Sequence, residues 1–437
     1  MSETAKQNAE TNEQKWAWVE TAVWTKRMLE ALENGVKGGK WFSLHDKVYR
    51  TEVLEAAWQR VKRNKGAAGV DRISVERFDA NAQGYLKELQ LELKTGSYQP
   101  QAVRRIEIPK GDGKTRPLGI PTVKDRIVQA ALKSVIEPIF EQQFLDMSYG
   151  FRPGRGCKDA LREVASSLKQ GKCWVVDADI QGYFDNIPHG RLMERITETI
   201  SDGKIVSLIE RYLKQDILAE TKSWSPIKGT PQGAVLSPLL ANIYLHPLDK
   251  IIKRDGYDMI RYADDFVILC QTREEAEKAL ERVRNWMAEN ELTLHPDKTH
   301  IGDCREMGQG FEFLGYRFEA GRRTIRRKSL KKFRDAIRVR TRRTAGEAIE
   351  QIIQRVNLVL KGWYAYFKHA HKYTFNTQDA FVRRRLRAIL LKQNKKPGCA
   401  NSKNASFRWK NAYFAERGLF SLKEAHVLDC QSRCGNC

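Results

Sequence analysis

Long apolar runs are missing from this sequence. None approaches the ~20 residues that a helix needs to cross a bilayer, so a helical membrane-spanning protein is not expected. The opening stretch, MSETAKQNAETNEQ, is polar and mixed in charge and lacks the apolar centre of a secretory leader. Clustered cysteines are scarce as well. The eight cysteines stand singly until the last few residues, which suits a reducing compartment rather than a disulfide framework. No internal repeat or low-complexity segment interrupts the chain, setting aside solenoids and disordered scaffolds. Together these absences point to the cytoplasm. What remains is 437 residues with an apolar share of 41% and a mean hydropathy of −0.57, enough for two to four domains with their own cores.

Charge is present in excess, and unevenly. Of the net +23, residues 321–437 carry +22, with 29 Lys and Arg against 7 Asp and Glu. Residues 1–320 are nearly neutral. The basic runs GRRTIRRKSLKKFRDAIRVRTRR and FVRRRLRAILLK suit a module that binds a polyanion, since each phosphate neutralised releases counterions. Interleaved rings at Trp363, Tyr364, Tyr366, Phe367, Tyr373 and Phe375 suit base stacking, although part of them must form core.

Along the chain, residues to about 80 read as helices, with Leu54, Trp58 and Val61 at helical spacing before a glycine stop. Residues 81–320 mix strands (VRRIEIP, CWVVDADI, MIRYADDFVILC, FEFLGYRFE) with helices (DRIVQAALKSVIEPIFEQQF, CKDALREVASSLKQG, REEAEKALERVRNWMAEN), without the even alternation of a doubly wound sheet. Beyond Gly321 the character turns helical and basic. Packing stripes run through Leu330, Phe333 and Ile337 and through Ile352, Val356, Val359 and Trp363.

Three acids carry the chemical interest. Asp264 and Asp265 sit side by side between apolar runs, a placement that fits the turn of a hairpin. Adjacent carboxylates resist joint ionisation unless a cation offsets them, so such a pair suits a divalent metal, though a solvated turn has the same composition. In CWVVDADI, strand alternation puts Asp177 and Asp179 on one face and Val176, Ala178 and Ile180 on the other. Exposed acids on an edge strand would look alike. Upstream, RRIEIPKGDGKTRPLGIP reads as a strand, a turn at Gly111–Gly113 and the cations Lys110, Lys114 and Arg116, a hairpin suited to phosphate.

Taken in order, IPK, RPLGIP, SYGFRPGRG, DIQGYFD, TPQGAVLSP, YADD, HPDKT and FLGY resemble the reverse transcriptases encoded by bacterial group II introns, and KGWYAYF resembles their maturase domain. The resemblance covers roughly residues 40–420. It implies an α+β, right-hand polymerase fold of fingers, palm and thumb. The expected division is a helical N-terminal extension (1–80), fingers and palm (81–320), a thumb and RNA-binding maturase region (321–415), and a short tail (416–437) with no HNH endonuclease. Asp179, Asp264 and Asp265 would be the catalytic carboxylates. Together with Ile180 they would form the site for two Mg²⁺ ions; Asp177 falls off the family's metal position. Lys110 and Arg116 would grip the incoming triphosphate, Phe184 would crowd the sugar 2′-position, and Gln232 would line the nucleotide pocket. Lys298 would give a proton to pyrophosphate, or else merely cap a turn. Phe313–Gly315 would support the primer end, and Arg152 and Arg155 would touch template phosphate or pin their loop. Arg383, Arg384, Arg385 and Arg387 are the expected RNA-binding residues. The implied partners are the group II intron RNA, an RNA template with a DNA primer, dNTPs and target DNA, with no membrane. The implied activity is RNA-directed DNA polymerisation coupled to splicing assistance and intron mobility. A splicing-only maturase and a reverse transcriptase adopted for phage defence are the alternatives. Cys430, Cys434 and Cys437, with His426 upstream, have zinc-like spacing, but no second pair of ligands follows. Free thiols on a disordered tail are expected.

Overall fold

A computed structural model describes residues 15–434, apart from residues 112, 220–221 and 345. The chain divides into two compact units. The first comprises residues 1–170, 178–270 and 274–300, and the second comprises residues 171–177, 271–273 and 301–437. Among the described residues no helix is long and apolar enough to cross a membrane.

The first unit is organised around two helices that are buried along most of their length. Helix Val123–Glu141 buries residues on every face, from Val123 and Ile127 to Ile139 and Phe140, after Thr122 caps its start by accepting a hydrogen bond from the Asp125 amide. Helix Ser237–Arg254 is the second, with Leu239, Leu240, Ile243, Tyr244, Leu245 and Leu248 inside. The expected N-terminal helix forms at Thr51–Asn64 and buries Leu54, Trp58 and Val61. Its stop differs from expectation. Lys65, not glycine, takes the left-handed cap conformation, and Gly66 instead makes room for the Arg126 guanidinium.

Strands β1 (Val103–Gly111) and β2 (Lys114–Ile120) form the expected antiparallel hairpin, with Ile108 opposite Arg116. Strand β3 (Trp174–Asp179) ends in the first unit with Ala178 and Asp179. Its alternation holds, because Val176, Ala178 and Ile180 are buried while Asp177 and Asp179 are only partly covered. Two short strands not read from the sequence, β4 (Ile217–Ala219) and β5 (Lys222–Trp224), extend the first hairpin into the order β2-β1-β4-β5, with β4 parallel to β1. Strands β6 (Asp258–Tyr262) and β7 (Asp265–Cys270) pair antiparallel, Tyr262 facing Asp265.

The second unit contains most of β8 (His300–Asp303) and a three-stranded antiparallel sheet of β9 (Phe311–Phe313), β10 (Tyr316–Glu319) and β11 (Arg322–Ile325). Helices Arg327–Arg340, Ile349–Phe367 and Tyr373–Gln393 follow. The first expected stripe buries Phe333 and Ile337 with Leu330 at its edge, whereas the second buries Ile352 and Val356 but continues through Leu360 and Tyr364, leaving Val359 and Trp363 partly covered. Phe333 stacks on Trp363 with ring centroids 4.3 Å apart. The segment expected as a disordered tail is largely a docked helix, Leu422–Cys434. Leu422 is fully buried, and the Leu422 and Lys423 amides donate to the Asp379 carboxylate at 3.0 Å each. Within that helix Cys430 Sγ lies 3.7 Å from His426 Nε2. Cys437 and the Cys434 side chain lie outside the described residues.

His246, on the buried face of helix Ser237–Arg254, sets a pH limit on stability. Burial, helped by the charges of Lys250, Arg261 and Arg152, lowers its imidazole pKa from 6.5 to about 3. The unfolded chain therefore binds a proton that the folded chain refuses as pH falls below 6.5, and stability drops across the window from 6.5 to about 3. Folding should be weaker by about 2 kcal/mol at pH 5 than at pH 7.5 through this residue alone. Chemical denaturation of the wild type and His246→Leu at both pH values checks this. An equal pH effect in the two proteins would remove His246 as its source.

Candidate active site

The two-residue loop between β6 and β7 is Ala263–Asp264, so one acid of the pair forms the turn and the other opens β7. Ala263 has φ +61°, as the first loop residue of a type II′ hairpin requires. A β-bridge between Ile180 and Leu294 brings the HPDKT segment alongside the end of β3. The Gln181 amide donates to Thr293 O and the His295 amide to Asp179 O, both at 2.8 Å. Lys298 Nζ thereby lies 2.7 Å from Asp179 Oδ2, with half of its side chain exposed.

Asp264 is half-buried. Burial pushes its carboxyl above the ordinary aspartate range and the charge of Asp179 adds to this, while its own main-chain amide and the charges of Arg116 and Lys298 act the other way. The electrostatics therefore join Asp179, Asp264, Arg116 and Lys298 in one neighbourhood. Among the described residues, however, no three Asp, Glu, His or Cys side chains form a ready-made metal cluster.

A second group borders this one. Arg116 Nε donates to Gln232 Oε1 at 2.6 Å, and Gln232 Nε2 donates to Asp185 Oδ2 at 3.2 Å. The Gly119 amide ties β2 to Gln232 O at 2.7 Å. Gly233, at φ +106°, lies so close to Gly119 O that a Cβ would sit 2.6 Å from it. Phe184 is 9% exposed, and its carbonyl accepts from the Thr230 amide at 2.7 Å, which seats the TPQG loop over the DIQGYFD turn. Lys110 lies in β1, but its side chain is outside the described residues.

Other expected residues have visible partners within the protein. Arg152 is 6% exposed; it forms an ion pair with Glu141 at 2.7 Å and donates to Ser148 O at 2.7 Å, so it pins its loop. Arg155 donates to Asp146 O at 3.0 Å. Phe313 is fully buried, and the Leu314–Gly315 turn is held by Tyr366 Oη donating to Leu314 O at 2.8 Å. The four arginines of helix Tyr373–Gln393 divide in two. Arg387 is 8% exposed and donates to Trp409 O at 3.0 Å and Asn411 Oδ1 at 3.1 Å, while Arg385 donates to Thr341 Oγ1 at 3.1 Å. Arg384 is exposed and Arg383 partly so.

Sequence reasoning missed the group behind the turn. Arg261 and Asp249 form an ion pair with both side chains at 0% exposure. Arg261 Nε meets Asp249 Oδ1 at 2.7 Å, and Nη1 reaches Asn242 Oδ1 and Ala263 O at 3.0 Å each. Asn242 Nδ2 donates to Gly150 O at 2.8 Å. The available signal was Asn242 and Asp249 seven residues apart, on one face of the mainly apolar run SPLLANIYLHPLD.

Residues 108–318 match the family described as reverse transcriptase (RNA-dependent DNA polymerase), and residues 330–409 match the group II intron maturase-specific domain. The chain is 41% identical over 210 residues to the group II intron-encoded protein LtrA of Lactococcus lactis subsp. cremoris, covering 48% of this chain and 35% of that one. It thus spans about a third of that relative's length. It is also 34% identical over 312 residues to protein YkfC of Escherichia coli (strain K12), covering 62% of this chain and 81% of that protein. A partial Cas6-RT-Cas1–Cas2 complex aligns over 56% of this chain and 41% of its own at 27% identity, with a TM-score of 0.35. With both regions matched in order along the sequence and most of the E. coli relative covered, the chain belongs to the reverse transcriptase and maturase family of group II introns.

Proposed function

We propose that the protein is an RNA-directed DNA polymerase that also binds its own group II intron RNA, assists its splicing and supports its mobility by target-primed reverse transcription. One observation carries the reading: the hairpin turn with Asp264 and Asp265 shares a charged neighbourhood with Asp179, Lys298 and Arg116. Reverse transcriptase domains use divalent metal ions, and the donor set fits. Asp179, Asp264 and Asp265 offer hard oxygen ligands, and the mutual repulsion of Asp179 and Asp264 is what a cation would relieve.

The three aspartates, with Ile180 beside them, would hold two Mg²⁺ ions. Such ions activate a primer 3′-hydroxyl and offset charge on the leaving pyrophosphate. Lys110 and Arg116 bind the triphosphate of the incoming dNTP. Gln232, held by Arg116 and Asp185, shapes the nucleotide pocket. Lys298 neutralises Asp179 before substrate arrives and supplies a proton to pyrophosphate afterwards. The division into an N-terminal extension (1–80), fingers and palm (81–320) and a thumb and maturase region (321–415) assigns template, primer and target DNA to the middle part and intron RNA to the last. Exposed Arg383 and Arg384 would contact RNA, with Arg385 and Arg387 holding their helix in place. The location is cytoplasmic.

Sugar selection provides a test at one residue. Phe184, anchored through its main chain and packed on Tyr183 with centroids 5.6 Å apart, would occupy the volume a 2′-hydroxyl needs. Phe184→Val should raise ribonucleotide incorporation about 10–100-fold relative to dNTPs, with a modest loss of dNTP incorporation. The ratio of the two rates on one RNA template measures it. Unchanged discrimination would place the gate elsewhere.

A further inference from the structure

The Arg261 network is fully buried and reaches the main chain of the hairpin turn. Replacing a buried ion pair by apolar side chains of similar volume is often neutral or stabilising, so a fully buried Arg261–Asp249 pair calls for another reason. An arginine fork has five donors in fixed directions. Here Nε and Nη2 engage Asp249, and Nη1 spans Asn242 Oδ1 and Ala263 O. The fork thus ties the carbonyl of the first turn residue to helix Ser237–Arg254. The main chain of Arg261 is fixed too: its amide donates to Met147 O and its carbonyl accepts from the Tyr149 amide, both at 2.8 Å.

The turn is also held from a second side. A Cβ on Gly150 would overlap the main chain of Tyr262 and Ala263, so Gly150 rests directly on the turn. The Gly150 carbonyl accepts from Asn242, the same side chain that accepts from Arg261. Ala263 has φ +61°, a conformation that a residue with a Cβ keeps only where its surroundings over-determine it. Asn242, Asp249, Arg261 and Gly150 supply those surroundings one residue before Asp264.

We propose that Arg261, backed by Asp249 and Asn242, is a positioning residue that sets the Ala263–Asp264 turn and thereby holds the Asp264 and Asp265 carboxylates where a divalent cation is bound; this rests on the metal-site reading above. Outer groups that orient metal ligands typically change affinity 10–100-fold when removed. A purely structural pair would change melting temperature without changing metal affinity in a variant that still folds.

The test is Mn²⁺ binding, followed by the electron paramagnetic resonance signal of free Mn²⁺. The protein is held on a chain-terminated primer–template with the next dNTP, so that no turnover occurs. Two variants are compared with wild type. Arg261→Met/Asp249→Leu replaces the ion pair by apolar volume, and Asn242→Ser cuts the link to Gly150 and leaves the pair intact. Both should bind primer–template as wild type does and bind Mn²⁺ about tenfold more weakly or worse, with the Mg²⁺ requirement for extension rising in parallel. Wild-type Mn²⁺ affinity in either folded variant overturns the proposal, including the case where the double variant unfolds and Asn242→Ser binds normally. Asp264→Asn separates the two readings: if it too binds Mn²⁺ like wild type, the metal-site reading fails, and the positioning role with it.

Discussion

Asp264→Asn should lower single-turnover primer extension on an RNA template by on the order of 10²–10³-fold and leave affinity for structured RNA intact. Asparagine keeps the shape and removes the charge. Asp264 is half-buried and already raised in pKa by burial and by Asp179, so solvent has little room to replace the lost ligand charge. RNA affinity should survive because residues 321–437 hold +22 of the net +23. Near-wild-type extension by this variant would move the chemistry away from the hairpin.

The second large effect belongs to that basic region. Arg334, Arg338 and Arg384 lie 5.6, 5.7 and 5.6 Å from the Phe381 ring. The Arg385 guanidinium is held below its ordinary range by burial and by the charges of Arg338, Arg343 and Arg384. Like charges this dense favour a polyanion partner. Arg338→Gln/Arg384→Gln should weaken binding of structured intron RNA roughly 50-fold at 0.1 M salt, from about 0.9 logarithmic unit per phosphate contact per decade of salt. The salt slope should flatten by about two, one per contact. Assisted splicing should fall in step. Extension of a short preformed primer–template should lose less, because its carboxylates lie in the near-neutral first 320 residues. If splicing assistance persists while extension collapses, the region grips only the primer–template duplex.

The sequence was most legible where a period met a charge. Asp264 and Asp265 interrupt apolar strand residues, and that interruption is the hairpin turn. Alternation in β3 placed Asp177 and Asp179 together on the less covered face, and only the resemblance to group II intron reverse transcriptases separated Asp179 from Asp177. Strands β4 and β5 were unreadable at three residues each, since β4 is set by its pairing to β1 and β5 by its pairing to β4, not by a pattern of their own. Arg261 escaped notice because its partners are spread over residues 147–150, 242 and 249. The run from Arg383 to Arg387 looks uniform in sequence, yet Arg387 is buried by Trp409 and Asn411, residues 22 and 24 positions further on. Surface and buried arginines differ only through such distant contacts.

The most direct measurement of the central claim uses the intact protein with whatever RNA copurifies with it. That RNA is sequenced, and the same complex is then given a complementary DNA primer, Mg²⁺ and dNTPs. The predicted result is strong enrichment of a group II intron RNA and synthesis of its cDNA on the same complex. RNA that mirrors the total cellular pool, with no primer extension, would contradict the account.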